Sequence, residues 1–306
     1  MPKRAVIDLG TNTFHLLIVE TDADGQTWMP VMRERVFVKL AEEGIEQIGT
    51  AAFERGLAAL ALFRQHLDHY DIPPETVSAF GTAALRTAAN APEFIQEARV
   101  RTGIQPRAIS GDQEALLIYA GVRQAVPFPD NPVLVMDIGG GSVEMILADA
   151  GGPMWRRSFP VGVAVLFRRF HKSNPIAAGE IAAVENYLDE ELRDLWGILA
   201  KHPTPTLVGA AGAFDIIDHL LLDPATKPPL YGWIPRADFE PLYEKIIRST
   251  LAEREAWQNL IPERREMIVV GMILIRHILE RGNMQEIYTS VYSMKEGMLD
   301  AGQRLS

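Results

Sequence analysis

The chain contains no cysteine, which removes disulfides, thiolate metal sites and cysteine nucleophiles from consideration. It also lacks a long hydrophobic run. The longest, Met267 to Ile275, is far short of the roughly 20 apolar residues of a membrane-spanning helix. Behind Met1-Pro2-Lys3-Arg4 the first apolar stretch is broken by Asp8, so no signal peptide is expected and a cytoplasmic location follows by default. Positive charge is in deficit: 30 Lys and Arg stand against 40 Asp and Glu, a formal charge of -10. That balance argues against nucleic acid or an anionic membrane as partner, since both are bound through a summed positive field. A polyanionic ligand would need a local basic patch. G-x-x-x-x-G-K-[ST], H-E-x-x-H and G-x-S-x-G are absent, and the seven histidines show no metal spacing. With 306 residues, 47% of them hydrophobic, the length favours two domains with full cores.

What the chain does have is one short pattern written twice. Asp8-Leu9-Gly10-Thr11-Asn12-Thr13-Phe14-His15 lies between the apolar runs Ala5 to Ile7 and Leu16 to Val19. Asp137-Ile138-Gly139-Gly140-Gly141-Ser142-Val143-Glu144 lies between Pro132 to Met136 and Met145 to Ala148. A single offset of 129 positions puts Asp8 on Asp137, Gly10 on Gly139, Thr13 on Ser142 and His15 on Glu144. Each copy reads as strand, tight polar turn, strand.

Around these copies the pattern predicts alternating strands and helices. Strands are expected at 3–9, 14–20 and 28–38, with a turn at Asp22 to Gly25. A helix from Ala51 to His69 follows, capped by Thr50. Then come a strand at 77–82, a helix at 92–102, a strand at 107–109, and a helix opened by the Ser110-x-x-Gln113 capping box and running to Ala125. Pro127, Pro129 and Pro132 mark a boundary. Downstream, strands are expected at 155–160, 206–212 and 287–292, and helices at 176–200, 237–250, 263–281 and 295–303. The resulting domains are 1–126 and 127–294, with the terminal helix 295–306 as a candidate addition to the first. Each opens with a hairpin whose turn is led by Asp, which suggests related α/β units facing across a cleft that takes the ligand.

Several residues are candidates for chemistry. Runs of Gly, Ser, Thr and Asn let successive backbone N–H groups converge on phosphate oxygens, although a lone turn of this kind also serves as a plain hairpin. Asp8 and Asp137 either hold a divalent cation between carboxylate and phosphate, Mg²⁺ being the natural one, or cap turn amides. Glu144, two residues past its turn in an apolar strand, faces either the cleft or a solvated sheet edge. Glu114 falls in a first helical turn, where the helix dipole favours an acid anyway. Arg86, amid small residues from Thr82 to Asn90, is either a phosphate fork or a surface arginine at a helix start. The clusters Arg156-Arg157, Arg168-Arg169, Arg264-Arg265 and Lys295 read mostly as solvated faces.

Taken in order, A-V-I-D-L-G-T-N-T-F-H-L-L-I-V, G-T-A-A-L-R-T-A-A-N, I-S-G-D-Q-E-A, D-I-G-G-G-S-V-E, P-E-R-R-E-M-I-V-V-G and S-M-K-E-G-M-L resemble the exopolyphosphatase and guanosine pentaphosphate phosphohydrolase family from about residue 4 to residue 299. The resemblance implies duplicated ribonuclease-H-like domains of the actin-like ATPase superfamily with an interdomain cleft. It also implies removal of terminal phosphate from polyphosphate or of the 5′ γ-phosphate from guanosine pentaphosphate, with Mg²⁺. By motif position Glu114 and Glu144 correspond to the catalytic acids. Arg86 corresponds to the phosphate-contacting arginine, and Gly10 to Thr13 and Gly139 to Ser142 to the phosphate loops. Asp8, Asp137 and Glu144 become the expected metal ligands. Threonine replaces serine at Thr11 and Thr13, and Lys295 stands where arginine is common. The later loop, normally G-x-G-G-T, reads Gly209-Ala210-Ala211-Gly212-Ala213, which sets methyl groups where phosphate would approach Gly209 and Gly212. Longer relatives continue into an HD-like helical domain, so the surface that grips long polymers is expected to be missing. A non-catalytic polyphosphate or (p)ppGpp sensor and an actin-like small-molecule kinase are the rival readings, and a homodimer is compatible with the sequence.

Overall fold

The computed structural model describes residues 1–301 apart from Ala23, Gly25, Gln26 and Asn259. The expected turn at 22–25 therefore lies partly outside the described residues, as does the end of the terminal helix from 302 on. The chain divides into two compact units, Met1–Gly121 joined by the segment from Met294 on, and Val122–Ser293.

In the first unit, β1 (Lys3–Leu9), β2 (Thr13–Thr21) and β3 (Trp28–Phe37) form an antiparallel meander, followed by α1 (Thr50–His69). Next come β4 (Ser78–Gly81), α2 (Ala83–Thr87), α3 (Ala91–Thr102), β5 (Arg107–Ala108) and the start of α4 (Gly111–Ala125). The sheet order is β3-β2-β1-β4-β5, with β4 and β5 parallel to β1. Pro30 is tolerated because β3 is an edge strand and the β2–β3 register shifts beside Val19, its partner. The core packs Ile7, Leu9 and Phe14 against Leu60 and Phe63 of α1 and Phe94 of α3. Thr50 does not cap α1: the helix begins on it, and the cap is Gly49, whose carbonyl accepts from Phe53 N–H. The Ser110 capping box does form, with Gln113 N–H donating to Ser110 Oγ at 3.2 Å and Ser110 N–H to Gln113 Oε1 at 2.9 Å.

The second unit repeats the plan and extends it. Its strands β6 (Val133–Ile138), β7 (Val143–Asp149) and β8 (Gly152–Phe159) again form a meander. Helices α5 (Val163–Phe170), α6 (Ala178–Glu191) and α7 (Arg193–Lys201) lead to β9 (Thr206–Ala210) and α8 (Ala213–Leu221). Beyond these lie β10 (Tyr231–Pro235), α9 (Arg236–Arg248), α10 (Leu251–Glu255), α11 (Ile268–Arg281) and β11 (Glu286–Ser290). The remaining helix, α12 (Met294–Ala301), returns to the first unit. Read from its meander end, the sheet is β8-β7-β6-β9-β11-β10, so only the edge strand β10 has no counterpart in the first sheet.

The helix expected over 176–200 is two helices, broken at Leu192, whose backbone (φ -95, ψ 20) leaves the helical path. The break lets Val184 and Leu188 on one piece and Leu195 and Leu199 on the other all reach the core. The helix expected from Glu263 starts only at Ile268, because Pro262–Arg264 is a single tight 3₁₀ turn. Among the described residues no helix is long and apolar enough to cross a membrane.

Candidate active site

The two turns are closed by the same bond. In the first, Gly10 N–H donates to Thr13 O at 3.0 Å; in the second, Gly139 N–H donates to Ser142 O at 3.0 Å. A methyl group on Gly10 would lie 2.7 Å from Thr13 O, and one on Gly139 would lie 2.9 Å from Ser142 O, so both positions require glycine for the same reason. In each unit the segment after the third strand of the meander holds the turn by its carbonyls. Leu40 N–H donates to Thr11 O at 2.8 Å and Val38 N–H to Asn12 O at 2.9 Å. In the second unit Val163 N–H donates to Gly139 O at 3.0 Å and Ala164 N–H to Gly140 O at 2.9 Å. The second pair thereby satisfies two of the donors that open α5.

This buttressing orients the amides. In a trans peptide the N–H points opposite to the carbonyl before it. Because the carbonyls of Thr11, Gly139 and Gly140 point at the buttress, the N–H groups of Asn12, Gly140 and Gly141 point away from it. Turns arranged in this way present amides to an anion.

The strand registers place an ionisable residue opposite each leading aspartate: His15 opposite Asp8, and Glu144 opposite Asp137. Glu144 is 1% exposed and Asp137 8%. Glu144 Oε1 accepts two hydroxyl protons, from Ser142 at 2.8 Å and from Ser158 on β8 at 2.7 Å. Asp137 Oδ2 accepts from the Ser293 hydroxyl, which stands immediately before α12. Neither Ser158 nor Ser293 was evident from sequence; the only signal was Ser293 at the head of the S-M-K-E-G stretch.

In the first unit Glu114, in the opening turn of α4, is 6% exposed and paired with Arg86 of α2, whose Nη1 lies 3.0 Å from Glu114 Oε2. The same nitrogen donates to Ile109 O at 3.0 Å, so Arg86 fastens the start of α4 while neutralising a buried acid. Its Nε and Nη2 carry three further donors. The Thr11 hydroxyl accepts from Ala84 N–H at 3.2 Å and so holds the start of α2, the helix that carries Arg86.

The glycine-containing stretch after β9 divides into a core part and a loop part. Gly209 lies inside β9, and a methyl group there would run into the Phe214 ring at 2.0 Å, so its glycine serves packing of α8. Gly212, at φ +55, approaches Ile138 just ahead of the second turn, where a methyl group would meet Ile138 O at 2.5 Å. Ala211 also has φ +55, a conformation unusual for a residue with a side chain. Arg264 holds the loop from outside, donating to Gly212 O and pairing with Asp215 of α8 at 2.7 Å. The P-E-R-R-E-M stretch therefore supports this loop through its first arginine. Lys295 pairs with the fully buried Glu296 at 3.2 Å, which also meets Arg33 of β3.

Among the described residues no group of three or more His, Asp and Glu side chains is placed to hold a metal ion by itself. Asp137 and Glu144 are nevertheless two hard oxygen donors side by side on adjacent strands. That set suits Mg²⁺, which commonly takes one or two carboxylates and completes its shell with water and substrate phosphate.

The Ppx/GppA phosphatase family model matches residues 17–303. An exopolyphosphatase from Cytophaga hutchinsonii is similar over 99% of this chain and 98% of its own, at 34% identity and a TM-score of 0.93. A PPX-GPPA enzyme from Aquifex aeolicus shares the fold at 22% identity and a TM-score of 0.78, covering 97% of this chain and 98% of its own. Another Aquifex aeolicus structure of the Ppx/GppA family gives 21% identity and a TM-score of 0.79, over 99% of this chain and 98% of its own. Both sheets have the order of a duplicated ribonuclease-H-like, actin-like fold. With the family model spanning nearly the whole length and a relative at 34% identity beside it, the chain belongs to the Ppx/GppA phosphatase family.

Proposed function

We propose that this phosphatase removes the terminal phosphate from inorganic polyphosphate, or the 5′ γ-phosphate from guanosine pentaphosphate, by in-line attack of water. The observation that carries the reading is the matched pair of buttressed turns, whose Asn12, Gly140 and Gly141 amides face away from their scaffold. A phosphate chain supplies what such amides bind. In this reading Gly10 to Thr13 and Gly139 to Ser142 grip phosphate, with Gly212 beside the second turn. Gly209 is left out because its backbone serves the core.

Glu114 orients the attacking water and takes its proton. Arg86, already charge-paired with Glu114, turns its remaining donors toward the phosphoryl oxygens as negative charge shifts to the leaving group. Glu144 is held too firmly by Ser142 and Ser158 to swing; it acts in place, fixing water or cation beside Asp137. Mg²⁺, with Asp137 and Glu144 as its holders and Asp8 as the equivalent acid in the first unit, would supply charge neutralisation on the phosphoryl group.

The test is phosphate release from polyphosphate, guanosine pentaphosphate and ATP, each with Mg²⁺ and no acceptor. Release from either of the first two substrates, abolished by chelation, is expected. Tight binding of these ligands without release would replace the reading with that of a sensor. Phosphate transfer from ATP only when an acceptor is added would replace it with that of a kinase.

A further inference from the structure

The strand registers of the second sheet align one residue from each strand in a single row: Ser158, Glu144, Asp137, Ala210, Ser290 and Tyr231. Residues in register across a sheet project from the same face. Ser158 is therefore on the face of the candidate acids because of where β8 pairs, although it is outside the repeated pattern. Its neighbours in the strand, Trp155, Arg156 and Arg157, are bulky; a small hydroxyl residue occurs only at the position opposite Glu144.

The two hydroxyls on Glu144 Oε1 differ in kind. Ser142 belongs to the turn itself. Ser158 comes from the scaffold strand, so its hydrogen bond does not depend on what the turn holds. A carboxylate that is 1% exposed needs such donors to satisfy and orient its oxygens. With two donors on one oxygen the plane of the carboxylate is set.

Resting on the proposed hydrolysis, we infer that Ser158 is a positioning residue for turnover: its hydroxyl holds the Glu144 carboxylate in its working orientation without touching substrate. The consequence falls on kcat. Losing one hydrogen bond to a charged group corresponds to roughly 10- to 100-fold in rate if it is expressed fully in the transition state.

The experiment compares Ser158→Thr, Ser158→Val and Ser158→Ala with the parent on whichever substrate the parent hydrolyses. Thr and Val have nearly the same shape and both suit a strand, so the pair isolates the hydroxyl. Thr is expected within about threefold of the parent, while Val and Ala lose about 10- to 100-fold in kcat with KM nearly unchanged. Ser142→Ala serves as contrast, since it removes a donor from the turn as well and should raise KM together with lowering kcat. Melting curves show whether each variant is folded. Parent-like kcat in folded Val or Ala variants overturns the inference, as does a loss confined to KM or equal losses in Thr and Val. A parent that releases no phosphate from any substrate overturns the proposed function instead, so the two failures are distinct.

Discussion

The first and second turns share backbone geometry, glycine requirement and buttress, yet they differ in the residue opposite the leading aspartate. In the first unit it is His15, partly exposed; in the second it is Glu144, buried and held by two hydroxyls. What the two units share is therefore the backbone of the turn and its leading aspartate, and what differs is the side chain opposite that aspartate. The first unit obtains its acid elsewhere, from Glu114 in α4, held by Arg86 of α2. The second unit has no arginine at the corresponding place after β9. There the chain makes the Ala211-Gly212 turn, and its arginine, Arg264, arrives from a distant segment to bind the loop backbone. A turn made of backbone bonds is rebuilt by any sequence with the right glycines, whereas the side chains around it are set residue by residue.

The largest expected effect tests that asymmetry. Glu144→Gln and Glu114→Gln should each lower kcat by about 10³-fold, the scale of losing a general base or a charge that acts in the transition state. His15→Gln, at the matching position of the first turn, should stay within about threefold, as a partly exposed side chain that is itself no acid. Steady-state phosphate release settles all three. A His15 variant as damaged as the Glu144 one would show that the turns are functionally equivalent.

Next come the glycines. Gly10→Ala and Gly139→Ala each push a methyl group to within 3.0 Å of a backbone carbonyl, at 2.7 and 2.9 Å. Each should destabilise its unit by about 1–3 kcal/mol, the usual cost of overpacking, with Gly10 at least as costly as Gly139. Urea unfolding curves would show this, and a single sensitive glycine would break the structural equivalence.

Arg86→Lys should follow, with kcat lower by roughly tenfold. Lysine keeps the charge beside Glu114 but loses the Nε and Nη2 donors that the proposed mechanism turns toward the phosphoryl oxygens. Unchanged kcat would mean that charge alone is what Arg86 contributes.

The features readable in the sequence were those whose cause is local. A glycine that must avoid the carbonyl three residues on, an alternating strand, and a Ser-x-x-Gln box act over a few residues, and the hairpins, the turns and the start of α4 appeared where they were expected. The braces were not readable, because Ser158 reaches Glu144 through strand pairing and Ser293 reaches Asp137 across 156 positions. Helix α5 was missed because Val163–Phe170 is short and its opening donors are satisfied by carbonyls of the second turn, for which no capping side chain is needed. Gly209 entered through the family's loop pattern, and what the sequence does not show is that its missing side chain makes room for the Phe214 ring.

The smallest expected effect concerns the loop that distinguishes the second unit. Ala211 sits at φ +55, where a side chain costs about 1 kcal/mol or more relative to glycine. Ala211→Gly relieves that cost but gives the unfolded chain extra freedom worth about 0.4–1 kcal/mol. The net change in stability should be small and favourable, below about 1 kcal/mol. Because Arg264 and Phe214 N–H hold the loop through backbone carbonyls, the replacement leaves those bonds in place. Activity should then stay level or rise as a methyl group leaves the neighbourhood of the second turn. A marked loss of stability would mean that the Ala211 side chain is itself a packing contact, and that the loop departs from a glycine-rich form because its methyl groups are needed.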